Sequence, residues 1–318
     1  MRIAVLGTGR MGAFRADWLR SQPDVEEVLV GSVRERTVEA ALDARPDAVV
    51  IASATPDHAP QIRACAERGL PMLCEKPIAL TLAETRAALD AAGDLIQVAF
   101  QRRFDPGFAE ARRLVASGAL GTLYSVRMVS LDHEPSPEHF IPGSGGIFRD
   151  MLIHDFDAAR WLTGAEVEQV YAVGTVREWE RFAKHGDVDT AAIVLTMTGG
   201  LPVVVSGSRH DPRGYDFRAE LLGSADSIAV GLDARTPLRS VEASAPPPGS
   251  NPYTAFLDRF AAAFDGELRA WLAFVRGERE NPCRGVAALD ALRVAVACDR
   301  SRTEGRPVRI GEVGDDAD

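Results

Sequence analysis

Through the first hundred residues, short continuous apolar runs at 3–6, 28–30, 48–52, 70–74 and 95–100 alternate with helical patterns at 13–20, 61–68 and 82–91. Short β-branched runs read as strands, and strand–helix alternation marks βαβ units around a parallel sheet. Thr81 and Glu84 form a capping box ahead of the third helix, while Gly69 and Gly93 supply helix stops. Between Ser32 and Ala48 there is room for one short helix, 37–44, which abbreviates that part of the fold.

After a helix at 106–117 closed by Gly118, the rhythm changes. Residues 122–131, 167–176, 190–197, 202–208 and 217–222 read as longer strands, with Gly199-Gly200 as a hairpin signal. This is an α/β chain whose second half is an α+β domain with an open, mostly antiparallel sheet, and the boundary is expected near Gly121, giving 1–121 and 122–318. "APPPGSNP" (245–252) reads as a rigid or extended linker, followed by helices at 254–276 and 285–302.

One further segment breaks the usual pattern. "RDMLIHDFDAARWL" (149–162) reads as a helix apolar nearly all round, hence buried, yet Asp150, His154 and Asp157 fall on one stripe of it. An unpaired buried carboxylate costs several kcal/mol, so the stripe is either a core histidine satisfied by Asp150 or Asp157 or the wall of a site.

Composition narrows the function. The 318 residues are 46% hydrophobic and 26% charged, with a formal net charge of -10. No dense basic run exists to meet nucleic acid or an anionic membrane surface. No apolar segment approaches the ~20 residues that span a bilayer. Cys65, Cys74, Cys283 and Cys298 show neither a C-x-x-C pair nor zinc spacing, which fits a reducing cytoplasm and gives no metal site.

"GTGRMG" places Gly7, Gly9 and Gly12, with Thr8, Arg10 and Met11 between them, after the first strand and at the start of a helix. In that context G-x-G-x-x-G is a dinucleotide fingerprint, and the N-terminal half is a Rossmann domain: the glycines permit the tight turn, the approach of pyrophosphate and close helix packing. The acidic residue expected at the end of the second strand, which would hold the ribose of NAD, is replaced by Ser32, followed by Arg34 and Arg36. The cofactor is therefore NAD or NADP, with a lean to NADP from Ser32 and Arg34. Ser53, Ala54 and His58, beyond the third strand, and Glu75, beyond the next, are further cofactor-side candidates.

Lys76 follows strand 70–74 in "EKP", and strand ends of a doubly wound sheet face the ligand crevice. An ammonium there can stabilise a developing alkoxide. The N-terminal glycine fingerprint, "EKP" and "GGIFRDMLIHDFD" (145–157), in this order, resemble the glucose-fructose oxidoreductase / inositol 2-dehydrogenase family, and "RRFDPGF" (102–108), "GDVDTA" (186–191) and "GYDFRAELLGS" (214–224) are most similar to its inositol 2-dehydrogenase branch. The resemblance implies that Lys76, Asp150 and His154 are catalytic. Asp157, one further helical turn along and beyond easy reach of substrate, reads as supporting His154 or the helix packing. The resemblance also implies weaker polyol contacts from Arg102, Asp132 and Tyr215, a cis Lys76-Pro77 bond, and a cyclic polyol or sugar substrate oxidised by NAD(P). A homodimer or homotetramer through the C-terminal sheet is implied as well. Three other readings share this architecture: an NAD-assisted glycosidase, a biosynthetic keto-sugar reductase, which uses the same residues in reverse, and a non-enzymatic dinucleotide-sensing regulator, against which the intact Lys76, Asp150 and His154 argue.

Overall fold

A computed structural model describes residues 1–245, Pro247 and residues 249–314. The expected linker at 245–252 lies partly outside the described residues, at Pro246 and Pro248. In chain order the elements begin β1 (Arg2–Leu6), α1 (Arg10–Arg20), β2 (Glu27–Gly31), α2 (Val38–Asp43), β3 (Ala48–Ile51), α3 (Thr55–Glu67), β4 (Met72–Cys74), α4 (Leu82–Ala92) and β5 (Ile96–Val98). They continue α5 (Pro106–Ala116), β6 (Leu123–Leu131), α6 (Ile141–Ser144), α7 (Ile153–Thr163), β7 (Val167–Thr175), α8 (Glu180–Ala183), β8 (Thr190–Met197), β9 (Pro202–Ser208), β10 (Asp216–Gly223), β11 (Ser227–Val230), α9 (Phe256–Arg259), α10 (Ala261–Val275), α11 (Val286–Glu304) and β12 (Val308–Arg309).

The chain forms two compact units. The first holds residues 1–100 and 267–292, the second 101–266 and 293–314. The division thus falls at Phe100 rather than near Gly121, and it is not a single cut. The helix α5 packs on α7 within the second unit, while Leu268, Trp271 and Leu272 of α10 join Ile3, Val5, Ala16, Leu19 and Val50 in the core of the first.

In the first unit five strands pair in parallel in the order β2-β1-β3-β4-β5. The apolar runs of β1 and β3 are covered on both faces: Ile3–Leu6 and Ala48–Ile51 are fully buried. Strand order reverses between β1 and β3, the switch point at which doubly wound sheets bind ligands. The helix α3 starts at Thr55, earlier than the expected Gln61, because Pro56 occupies its first turn, where a missing N–H costs nothing, and Pro60 is accommodated just inside. The Thr81 hydroxyl accepts the Glu84 N–H at 3.2 Å, the N-cap half of the expected capping box, and donates to the Glu84 carboxylate at 3.0 Å.

The second unit is built on a seven-stranded sheet, β11-β10-β6-β9-β8-β7-β12. All neighbours run antiparallel except β6 and β9, which are parallel. Burial alternates along β8 and β9, so one face carries core and the other is open. Leu152 packs on the core face so closely that a Cβ at Gly207 would lie 2.8 Å from its Cδ2. The short strands β11 and β12 carry too little pattern to be read from sequence. The helix expected at 254–276 is interrupted at Phe260, which separates α9 from α10.

Candidate active site

The glycine turn has the shape that its spacing predicts. At Gly7 (φ +124°) a Cβ would lie 2.3 Å from the Ala52 carbonyl oxygen, and at Gly12 it would lie 2.0 Å from that of Gly7. Around Gly9 there is open space, with nothing within 4 Å of such a Cβ. No side chain caps the N-terminus of α1, and Thr8, Gly9 and Arg10 are exposed. Backbone N–H groups left for an anion beside an open glycine fit a dinucleotide pyrophosphate.

Beyond β2, the Ser32 hydroxyl accepts the Glu35 N–H at 3.3 Å and the Ser32 N–H is donated to the Thr37 hydroxyl at 2.9 Å. The serine is buried in its own loop, whereas Arg34 and Arg36 are exposed. Arg36 lines a cleft of about 350 Å³ with Val33, Val38, Pro60 and Ala64 as apolar walls and Glu39, Asp57 and Gln61 as polar ones. That composition suits an adenosine.

His58, expected to border the cofactor, is buried in α3, with Nδ1 2.9 Å from the Pro77 carbonyl oxygen and Nε2 3.1 Å from that of Ser53. Burial lowers its pKa. The ring therefore ties two strand-end loops together and offers no face to a ligand. Ser53 donates to Gln61 at 2.9 Å, and Ala54 is exposed ahead of α3. Glu75 is likewise engaged, by the buried Arg15 at 2.7 Å. Lys76 follows it, half-buried, and the Lys76-Pro77 peptide is cis.

In the second unit, the segment expected to be one helix is two. A π turn over Ile147–Met151 closes on Leu152 N–H, bonded to the Ile147 carbonyl at 2.9 Å, and α7 starts after it. Such turns recur at functional sites, because the added residue re-aims the side chains around it. Gly145 and Gly146 (φ +80° and +82°) lead into the turn, and a Cβ at Gly146 would meet Asp187 Oδ1 at 2.9 Å. That same oxygen accepts the Ile147 N–H at 2.9 Å. Asp150 stands on the turn and is only partly exposed.

Among residues 151–159 every side chain is buried except His154. The two neighbouring aspartates have other duties. Asp157 accepts two hydrogen bonds from Arg103, at 2.9 and 2.5 Å, which ties it to the packing of the helix rather than to His154. Asp155, which sequence reading passed over, accepts from Arg102 at 2.7 Å and from the Ser130 hydroxyl.

Arg102 is consequently scaffold rather than a polyol contact: it is 2% exposed, with its guanidinium 4.9 Å from the Phe217 ring centroid. "RRFDPGF" as a whole anchors α7 and starts α5, whose first N–H groups are capped by Asp105 at 3.0 and 3.1 Å. Tyr215 stacks on Phe217 at 4.1 Å, and burial pushes its phenol well above the usual range. Asp132 stands just past β6, partly exposed.

The residue that sequence reading missed is Arg209, just past β9. It donates from Nη1 to Asp150 at 2.8 Å and lies 3.9 Å from Asp132 and 3.8 Å from Asp187. Burial opposes its charge, but the three carboxylates overrule that and the net shift is upward. Asp189 explains the other half of "GDVDTA": it accepts the N–H groups of Arg177, Glu178 and Trp179, and these bonds outweigh burial and lower its pKa.

An oxidoreductase family model with an NAD-binding Rossmann fold matches residues 1–100, and the GFO/IDH/MocA C-terminal domain model matches residues 108–229. The chain is 36% identical to the myo-inositol dehydrogenase Hyg17 of Streptomyces leeuwenhoekii, over 96% of this chain and 98% of that one. A probable dehydrogenase from Thermotoga maritima has a TM-score of 0.88 at 32% identity, covering 99% of this chain and 100% of that one. The scyllo-inositol dehydrogenase of Lactobacillus casei, solved with NAD(H) and scyllo-inositol bound, has a TM-score of 0.84 at 25% identity, covering 98% and 99%.

Proposed function

Since the chain belongs to the GFO/IDH/MocA family of oxidoreductases with an NAD-binding Rossmann fold, we propose that it moves a hydride between a secondary alcohol of an inositol-like cyclic polyol or sugar and a nicotinamide dinucleotide. The observation that carries this reading is His154, the one accessible side chain in a buried run, directly after a turn that carries Asp150.

In the oxidising direction His154 takes the hydroxyl proton, a task suited to a group whose ordinary pKa is ~6.5. Asp150, gripped by Arg209, accepts from a neighbouring hydroxyl or orients the imidazole. Lys76 donates to the reacting oxygen and stabilises its alkoxide character. When bound, the dinucleotide supplies the hydride acceptor. Its pyrophosphate would be held at the uncapped start of α1 and its adenosine in the cleft beside Val33 and Pro60.

The open sheet face supports a homodimer or homotetramer. Tyr171, Val194 and Val204 are exposed and directly paired across β7, β8 and β9, which makes a continuous apolar row. The four buried free thiols suit a reducing cytoplasm.

A spectrophotometric screen of inositols and common sugars, with NAD and NADP separately, tests the proposal. Reduced nicotinamide forming with at least one cyclic polyol is the expected result. Glycoside cleavage without net nicotinamide reduction, or binding without turnover, would replace it.

A further inference from the structure

We infer that Arg209 is a positioning residue that yokes Asp150 and Asp132 into one substrate-facing pair, the inference resting on the reading above that Asp150 handles the polyol. Three chain segments bring carboxylates to this one guanidinium: the π turn with Asp150, the end of β6 with Asp132, and the loop before β8 with Asp187. Their exposure sorts them. The side chains of Asp150 and Asp132 are 18% and 25% exposed, while Arg209 and Asp187 are 2% and 7% exposed. The cation and one carboxylate thus lie behind, and two carboxylates face outward on the same nitrogen, Nη1.

Arg209 is itself fixed. Its N–H bonds the Asp189 carbonyl at 2.8 Å, and its guanidinium lies 5.9 Å from the Phe182 ring centroid. It also acts on Asp150 by a second route, because Asp187 braces the first N–H of the π turn at Ile147. A planar fork can serve separate carboxylates from its two ends, which a point charge cannot. Without it, three like charges would repel one another, and Asp150 and Asp132 would separate. Two adjacent carboxylates facing outward are acceptors for two hydroxyls of one ligand, the feature that distinguishes a polyol from a simple alcohol.

The test compares full-length wild type, Arg209→Gln, Arg209→Lys and Asp187→Asn by polyol kcat and KM, by dinucleotide binding and by crystal structure. Arg209→Gln is expected to lose about 100-fold or more in polyol kcat/KM, as misplacement of a reacting group does, with Arg209→Lys recovering part of the loss and dinucleotide binding unchanged. Asp187→Asn is expected to fall between them. In the crystal, independently of turnover, the carboxylates of Asp150 and Asp132 are expected to move apart in Arg209→Gln. Unmoved carboxylates, or kcat/KM retained within about threefold of wild type, overturn the inference. So does a loss in which Arg209→Lys is as damaged as Arg209→Gln and dinucleotide binding fails too. Wild type inert towards every polyol retires the proposed function instead, while the carboxylate displacement still decides the role of Arg209.

Discussion

Arg15 and Glu267 meet at 2.8 Å where neither side chain has any solvent exposure, and the same guanidinium reaches Glu75 at 2.6 Å. One cation between two carboxylates leaves one of them poorly compensated, and it is the deeper one that responds. Burial pushes Glu267 up to about 7 from 4.5, against the pull of Arg15. A pKa raised in the fold means that stability is fully present below the unfolded value and is lost as pH rises through the folded one. The window is therefore about pH 4.5 to 7, and the loss is on the order of 3 kcal/mol. Denaturant unfolding of wild type and Glu267→Gln at about pH 5 and pH 8 should show wild type losing stability relative to the variant by that amount. An unchanged difference between the two pH values would contradict it.

The Arg102–Asp155 pair makes a prediction about stability alone. Asp155→Ala leaves the buried guanidinium of Arg102 with no carboxylate among the described residues, so it should destabilise by about 3–5 kcal/mol. A loss below about 1 kcal/mol would show that the charge finds water instead.

The open sheet face makes a prediction about assembly. Val194→Asp puts a charge in the middle of the row Tyr171–Val194–Val204 without touching the core. Sedimentation should show a smaller species with folding stability within about 0.5 kcal/mol of wild type. An unchanged sedimentation coefficient would remove this face as the interface.

Arg34 and Arg36 make a prediction about cofactor choice. Both are exposed beyond a β2 end where Ser32 stands in place of the ribose-binding acid, its hydroxyl engaged with the Glu35 N–H of its own loop. The double change to alanine should lower kcat/KM for NADP by roughly tenfold, the worth of one charge-assisted contact, and leave NAD unaffected. Equal effects on both cofactors would assign the arginines to general electrostatics.

Features whose cause is local were legible in the sequence. The β1 and β3 runs, the Gly7-Gly9-Gly12 turn and the Thr81 cap each follow from adjacent residues, and each is present. Features whose cause is distant were not. Nothing near Arg209 announces Asp150, 59 residues away, nor does Arg15 announce Glu267, 252 away. Arg102 illustrates the converse error. The family resemblance implies a polyol contact for it, yet Asp155 neutralises it in the core. The π turn was invisible for a related reason: an apolar stretch continues across it, so the pattern reads as unbroken helix while the backbone gains a residue at Leu152.

The central claim is that His154 moves the substrate proton. The most direct measurement is single-turnover reduction of the dinucleotide by a polyol substrate in wild type, His154→Ala and Lys76→Ala, beside dinucleotide binding in each. Loss of a positioned acid–base group costs roughly 10²–10⁴ in rate, so both variants should fall by that much with dinucleotide binding intact. Near-normal hydride transfer in His154→Ala would contradict the account.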